Sequence, residues 1–376
     1  MPSTESCTVS TNKWQEADDM IDRTLRDQTQ LTILPHLLET ENLAARAICK
    51  ETGADTGVQI TAMPDLGLAN NAIRMRGGFF TGMYMEWNSN VPFIPVDATV
   101  NSCGVSVYVL NQDIPIQEFP ERIEEAKQKL ASDGYNWNFE RGNHFISICR
   151  MDDGKYCAVM HASADEYKRD LREFALYPDQ KVWYHDRIKT VWNHDHSRYL
   201  RYLVGSSAER FIDIALGLED INHRRMQDFA DAIFGSILDT ELIHVPHYGM
   251  PTASSVAIGC SWKANRSILL SLPGRDFCMI ENSSDLQWLT PHGFGASIPN
   301  LAISYDHSGF CINGTYVFTD ADVRCLDEKN IRLNGAGQDV VDRHIQKILD
   351  KCDAVISERF HPLLSINKDG IERFEN

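Results

Sequence analysis

Residues 57–111 read GVQITAMPDLGLANNAIRMRGGFFTGMYMEWNSNVPFIPVDATVNSCGVSVYVLN, and this stretch decides the fold class. Apolar runs at 57–63, 77–87, 91–96 and 104–110 are separated by Gly, Asn and Pro, the residues that interrupt strands and form turns. The same texture returns in NHFISICRM (143–151) and KYCAVMHA (155–162), and again at 241–248, 255–262, 267–271 and 276–281. Working outward, residues 13–52 predict two amphipathic helices broken near Pro35. FPERIEEAKQKLAS (119–132) has helical charge spacing, and further helices are expected at 163–176, over 206–239 as a pair, and at 337–357. The elements interleave, with no repeat and no Pro- or Ser-rich linker. The expected fold is therefore α+β, with an N-terminal helical extension at 1–56 and a single mixed α/β domain at 57–376. Central β-sheets and a helical insertion at about 163–239 complete it.

The chain has 376 residues, of which 43% are apolar and 24% charged, an ordinary globular balance. Its formal charge of -17 opposes non-specific nucleic-acid or anionic-membrane binding, which depends on neutralising phosphates. The N-terminal residues lack the apolar core of a signal peptide, and no run approaches a membrane span. Ten cysteines without C-x-x-C pairs fit a reducing compartment, so a cytoplasmic location with no membrane partner is expected.

Thirteen histidines are present, and several sit at predicted strand ends beside Gly, Pro or Asn. The contexts are Gly142-Asn143-His144-Phe145, Val159-Met160-His161, Val245-Pro246-His247-Tyr248 and Pro291-His292-Gly293-Phe294-Gly295. Asn101-Ser102-Cys103-Gly104-Val105 adds a cysteine in a tight turn. Imidazoles and a thiolate converging from separate strand ends suit a transition metal such as Mn, Zn or Fe. A single buried His is more often a hydrogen-bonded core residue, and Cys103 alone more often a small core residue. His194 and His196 share a polar loop and are set aside.

The order and surroundings of these segments resemble the RtcB family of GTP- and manganese-dependent RNA ligases over about residues 60–370. Ala62-Met63-Pro64-Asp65 is similar to the family's MPD segment, and Asn101 to Val105 to its D-x-x-C-G turn. Gly142-Asn143-His144-Phe145 matches GNHF outright. His161 stands where the family has HSGSRG, and Leu242 to Tyr248 resembles a strand ending in D-V-P-H-N, favouring His247 over His244. Ser271-Leu272-Pro273-Gly274 is similar to the I-P-G-S turn. Pro291 to Gly295 is similar to S-H-G-A-G, and Ile366-Asn367-Lys368-Asp369-Gly370 to the terminal V-K-G.

This resemblance implies an RtcB-like domain with a metal site at the strand ends, binding Mn²⁺ or another divalent transition metal and GTP. Its ligands would be Cys103, His144, His161 and His247, with Asp97 a further candidate. His292 would be the catalytic nucleophile, forming a histidine-guanylate. Asn143, Lys368, Ser271, Gly274 and Gly293 would contact the nucleotide. The guanylate would pass to a 3′-phosphate RNA end that is then joined to a 5′-hydroxyl.

The departures open two other readings. Val100 stands at the family's metal-binding Asp, and Asp97 is the nearest upstream carboxylate. HSGSRG is reduced to His161-Ala162-Ser163-Ala164, and R-K-G-A to Cys260-Ser261-Trp262-Lys263. Asp231-Ala232 replaces an Asn-Arg pair, Ala296 an Arg, and Val340 and Val341 a Tyr-Lys pair. Loss of phosphate-gripping cations favours a paralogue that transfers a nucleotidyl group to a small phosphorylated or hydroxylated acceptor. A non-catalytic metal-binding scaffold is the third reading.

Overall fold

The apolar runs of 57–111 form the first strands of a mixed α+β structure. The computed structural model describes residues 28–54, 57–100, 102–112, 114–115, 117–164, 167, 174–178, 182–195, 197–262, 265–272, 274–282, 289–293, 300–306, 308–323 and 338–374. Helix α1 (Gln28–Thr52) leads into β1 (Val58–Gly67), α2 (Ala72–Gly77), β2 (Thr81–Trp87), β3 (Phe93–Pro95) and β4 (Cys103–Leu110). Then come α3 (Phe119–Ser132), β5 (Phe145–Met151), β6 (Tyr156–Ala162), β7 (Lys189–Asn193), β8 (Arg198–Val204) and α4 (Ser206–Phe234). The strands β9 (Leu238–Gly249), β10 (Ser255–Ile258), β11 (Cys260–Ser261), β12 (Arg266–Leu269), β13 (Phe277–Asn282) and β14 (Thr290–Pro291) follow. Last are β15 (Ile303–Asp306), β16 (Gly309–Ile312), β17 (Thr315–Tyr316), α5 (Gln338–Cys352), β18 (Ala354–Asn367) and β19 (Gly370–Arg373).

The large sheet has the order β1-β2-β10-β9-β4-β6-β5-β18-β13-β12, with β19 paired to β18. All of these pairings are antiparallel. Its central strands are buried on both faces. On one, Tyr108, Ile146, Ile148, Ala158 and Met160 pack with α3 and the second half of α4. On the other, Val105, Val107, Cys149 and Val159 pack with Phe277, Met279 and Phe360. Successive residues alternate between the two clusters, as a period-two pleat requires. Among the described residues, no helix is long and apolar enough to cross a membrane.

Four expectations about elements change. Helix α1 runs unbroken through Pro35, because Ile33, Leu34 and Leu37 are buried on its inner face and hold the turn that the proline weakens. That helix shares one core with β1, β2 and β8, so it is part of the body of the fold. Residues 206–234 form a single helix, and the stretch expected as a helical insertion holds β7 and β8 before it. The last helix stops at Cys352, after which Ala354–Asn367 forms the longest strand among the described residues, since Phe360 is needed in the core on one face of the sheet and Leu364 and Ile366 on the other. The expected helical residues 13–27 and most of 163–176 lie outside the described residues.

One polar clamp ties the late strands to the early ones. His361 on β18 lies 2.9 Å through Nδ1 from Asp276 and 3.0 Å through Nε2 from Asp152. Burial pulls its pKa down, but the hydrogen bonds and charges of the two carboxylates outweigh that and raise it above its ordinary value. The clamp's stability is fully present below the unfolded pKa, about 6.5, and is lost as pH rises through the higher folded pKa. The urea midpoint of the wild type should therefore fall more between pH 6 and pH 9 than that of His361→Gln.

Candidate functional site

Four adjacent strands, β9-β4-β6-β5, bring one cysteine and three histidines to the same end of the sheet. Cys103 opens β4, His144 immediately precedes β5, His161 is the penultimate residue of β6, and His247 lies third from the end of β9. His161 is level with Phe145 on one side and Val105 on the other. On the remaining side Cys103 faces Tyr248 but Gly104 faces Pro246, so His247 is the extra residue of a bulge. Pro246 has no N–H to give the ladder, and a bulge is where a doubly paired strand tolerates it. All four side chains are buried.

The orientation of the rings follows from their backbone bonds. A carbonyl only accepts, so His144 Nδ1 donates to Asn138 O (3.0 Å) and His161 Nδ1 to Asn143 O (2.9 Å). In the neutral ring each Nε2 then carries the lone pair. His144 Nε2 meets Ser163 Oγ at 3.3 Å and Cys103 Sγ at 3.7 Å. His161 Nε2 lies 3.0 Å from His247 Nε2. Burial, followed by the charges of His161 and His292, holds His247 well below the usual imidazole pKa, so it is neutral. The donors stand as two pairs. Among the described residues, no group of three His, Cys, Asp or Glu side chains is gathered so as to hold a metal ion as it stands.

His292 closes the row, its ring centroid 5.4 Å from that of His247. It follows β14, and its Nδ1 donates to Asp65 Oδ2 at 2.7 Å. The same oxygen accepts the backbone N–H groups of His292 and Gly293, both at 3.1 Å. Asp65 thus fixes the tautomer and leaves His292 Nε2 with its lone pair. Tyr248 stands beside the ring at 5.9 Å between centroids, and burial pushes its phenol up to about 12, so it stays neutral. Two glycines admit this packing. A Cβ on Gly293, at φ +134°, would meet Leu270 O at 2.2 Å, and one on Gly259, at φ +67°, would meet His292 Cε1 at 2.9 Å.

The other expected residues divide. Ser271 follows Leu270, whose N–H donates to His292 O at 2.7 Å, so Ser271 and Gly293 both adjoin the histidine. Asn143 gives its carbonyl to His161 and leaves its side chain exposed. Lys368 is exposed in the turn between β18 and β19, just beyond the pairing of Ile366 with Ile146. Gly274 instead faces the Phe374 ring. Asp97, the further candidate ligand, has its carboxylate engaged by Arg201, with Nε 3.0 Å from each oxygen, and the carboxylate beside His292 is Asp65. His194 stacks on Trp192, while His196, Gly295 and Ala296 lie outside the described residues.

A supporting layer went unread in the sequence. Arg225, fully buried, donates to Asn136 O (2.7 Å) and Asn138 Oδ1 (3.0 Å), and Asn138 Nδ2 donates to Ser163 O (2.6 Å). Asn222 donates to Ala162 O at 3.2 Å. The helix therefore reaches the site through Asn222 and Arg225, whereas Asp231 is exposed. Their spacing with Leu218 and Phe229 puts them on the buried face of α4, and polar residues on such a face are the signal that could have found them.

Gly259→Ala should cost about 1–3 kcal/mol through overpacking and positive-φ strain. It should lower the melting temperature and shift the His292 ring resonances in NMR, while a surface glycine such as Gly154, with no neighbour within 4 Å of a Cβ, should leave those resonances in place on substitution. No family model and no curated protein matches the chain.

Proposed function

We propose that the chain is a divergent relative of the RtcB ligases, with a Cys/His metal centre beside a histidine nucleophile that transfers a nucleotidyl group. The observation that carries this reading is the 3.0 Å contact between His161 Nε2 and His247 Nε2. His161 presents a lone pair there, so the contact needs a proton or a cation between the rings. Ligands of one ion at about 2.0–2.1 Å stand about 2.9–3.4 Å apart, which this spacing fits. Three imidazoles and a thiol, two of the rings oriented by carbonyls, match Mn, Fe, Co or Zn better than Mg²⁺. When bound, the metal would neutralise charge on phosphate oxygens.

His292 does the bond-making. Its Nε2 lone pair attacks the α-phosphorus of GTP; an N–P bond forms, the bond to the bridging oxygen breaks, and pyrophosphate leaves with the electron pair. The ring becomes cationic, and Asp65, 2.7 Å from Nδ1, stabilises that charge. Asn143 and Lys368, both exposed, would contact the nucleotide. The guanylate then passes to an acceptor phosphate, regenerating the imidazole. With an RNA 3′-phosphate as acceptor, attack by a 5′-hydroxyl expels GMP and joins the strands. The charge of -17 and the missing cations favour a small phosphorylated or hydroxylated acceptor as the second reading.

Incubation with Mn²⁺ and α-labelled GTP should give acid-labile, base-stable label on the protein. His292→Asn should abolish it, Asp65→Asn should slow it about 10- to 1,000-fold, and His185→Asn, on an exposed turn, should leave it intact. Label persisting in His292→Asn overturns the mechanism. Metal analysis should show less bound Mn in His161→Ala than in wild type, and equal content in both overturns the metal centre.

The acceptor is decided by RNA carrying a 3′-phosphate. Binding that is weak and falls steeply with salt, without strand joining, supports the small acceptor. Tight binding followed by joining to a 5′-hydroxyl establishes the ligase.

A further inference from the structure

A cleft of about 610 Å³ lies away from the cysteine–histidine row, walled by α1, the end of β7, β8 and β15. A volume of this size is in the range of small-molecule sites. At its base is Arg198, whose side chain is 1% exposed. Its Nη2 donates to Thr40 Oγ1 at 2.9 Å, and its plane covers the Tyr305 ring at 4.1 Å. Nε and Nη1 make no hydrogen bond, although Glu39 stands 3.7 Å from Nε. Buried guanidinium N–H groups left without acceptors are costly, and an oxyanion that displaces the Glu39 carboxylate at the cleft base would supply them.

The rest of the lining points the same way. Arg46, exposed at the mouth, uses Nη2 on Trp192 O (3.0 Å) and has further donors. The Glu39 carboxylate also accepts from Asn193 Nδ2 at 2.8 Å. Among the described lining residues, two arginines stand against one glutamate, a local positive excess on a chain of charge -17. Pro35, Leu38 and Ile303 line the remainder with apolar surface.

We propose that this cleft binds a small oxyanion carried on an apolar body, its carboxylate or phosphate held by Arg198 and Arg46. A chain of contacts through α2 links the walls of the cleft to the candidate site. Thr40 Oγ1 donates to Gly78 O (3.0 Å) and Tyr305 to Met75 O (2.9 Å), while Arg74 of α2 donates to Ala98 O (3.0 Å) and Thr99 O (2.6 Å) and lies over Tyr248.

Isothermal titration of the full chain with 2-naphthoate, 1-naphthyl phosphate and the neutral 2-naphthamide tests this. Either acid should bind saturably and at least about tenfold tighter than the amide, the worth of one charge-assisted hydrogen bond. The stronger of the two acids names the oxyanion. Arg46→Gln, at the exposed rim, should weaken the acid about tenfold. Arg198→Gln should abolish binding, and if that variant fails to fold, the amide comparison and Arg46→Gln still decide. His292→Asn should leave the affinity unchanged, which separates this cleft from the nucleotidyl site. Equal binding of acid and amide, no saturation by about 5 mM, or loss in His292→Asn with retention in Arg46→Gln overturns the proposal.

Discussion

Two ring-to-carbonyl hydrogen bonds, from His144 to Asn138 and from His161 to Asn143, are the constraint on which the candidate site depends. Each spends the Nδ1 proton on backbone and turns an Nε2 lone pair inward. Had either carbonyl been taken by the β-ladder, the ring could rotate and the donor would face elsewhere. Asn138 is held in turn by Arg225, so the orientation of a strand-end histidine traces back to a buried guanidinium on α4. Breaking such a buried polar chain at one member leaves the others unsatisfied, which is why it behaves as a unit.

His292 applies the same logic with a carboxylate in place of a carbonyl. A carbonyl acts on a ring through its dipole alone, whereas Asp65 orients His292 with a full negative charge that would also stabilise the cation formed when its Nε2 makes a bond. In the proposed chemistry one row of histidines would therefore contain two kinds: rings that donate lone pairs, and one ring that becomes positive. That difference, visible in the atoms bound to Nδ1, is what separates ligand from nucleophile in the proposed chemistry.

Much of the fold was legible because strand texture is local: the runs at 57–63, 104–110, 143–151 and 155–162 fall on β1, β4, β5 and β6. The strand-end placement of Cys103, His144, His161 and His247 was legible from the Gly, Asn and Pro beside them. The overruns have a common cause. Pro35 and the 352–357 boundary are decided by what the segment packs against, and a single sequence does not show its partners. Asp97 and Asp65 make the same point for the site. Both carboxylates are buried, and only the tertiary structure reveals that Arg201 captures one and His292 the other.

The pairing of β5 with β18 has a consequence for synthesis. Strand β5 ends at Met151 and β18 begins at Ala354, so the outer edge of β5 waits for about 200 residues to be made. At translation rates of about 5–20 residues per second that interval is about 10–40 s. Once His247 has been added all four cysteine–histidine donors exist, yet for about 100 further residues a row of amide and carbonyl groups in the middle of the future sheet remains open to pairing with another chain. The nascent protein thus carries an open strand edge beside its candidate ligands until the strand that seals them arrives.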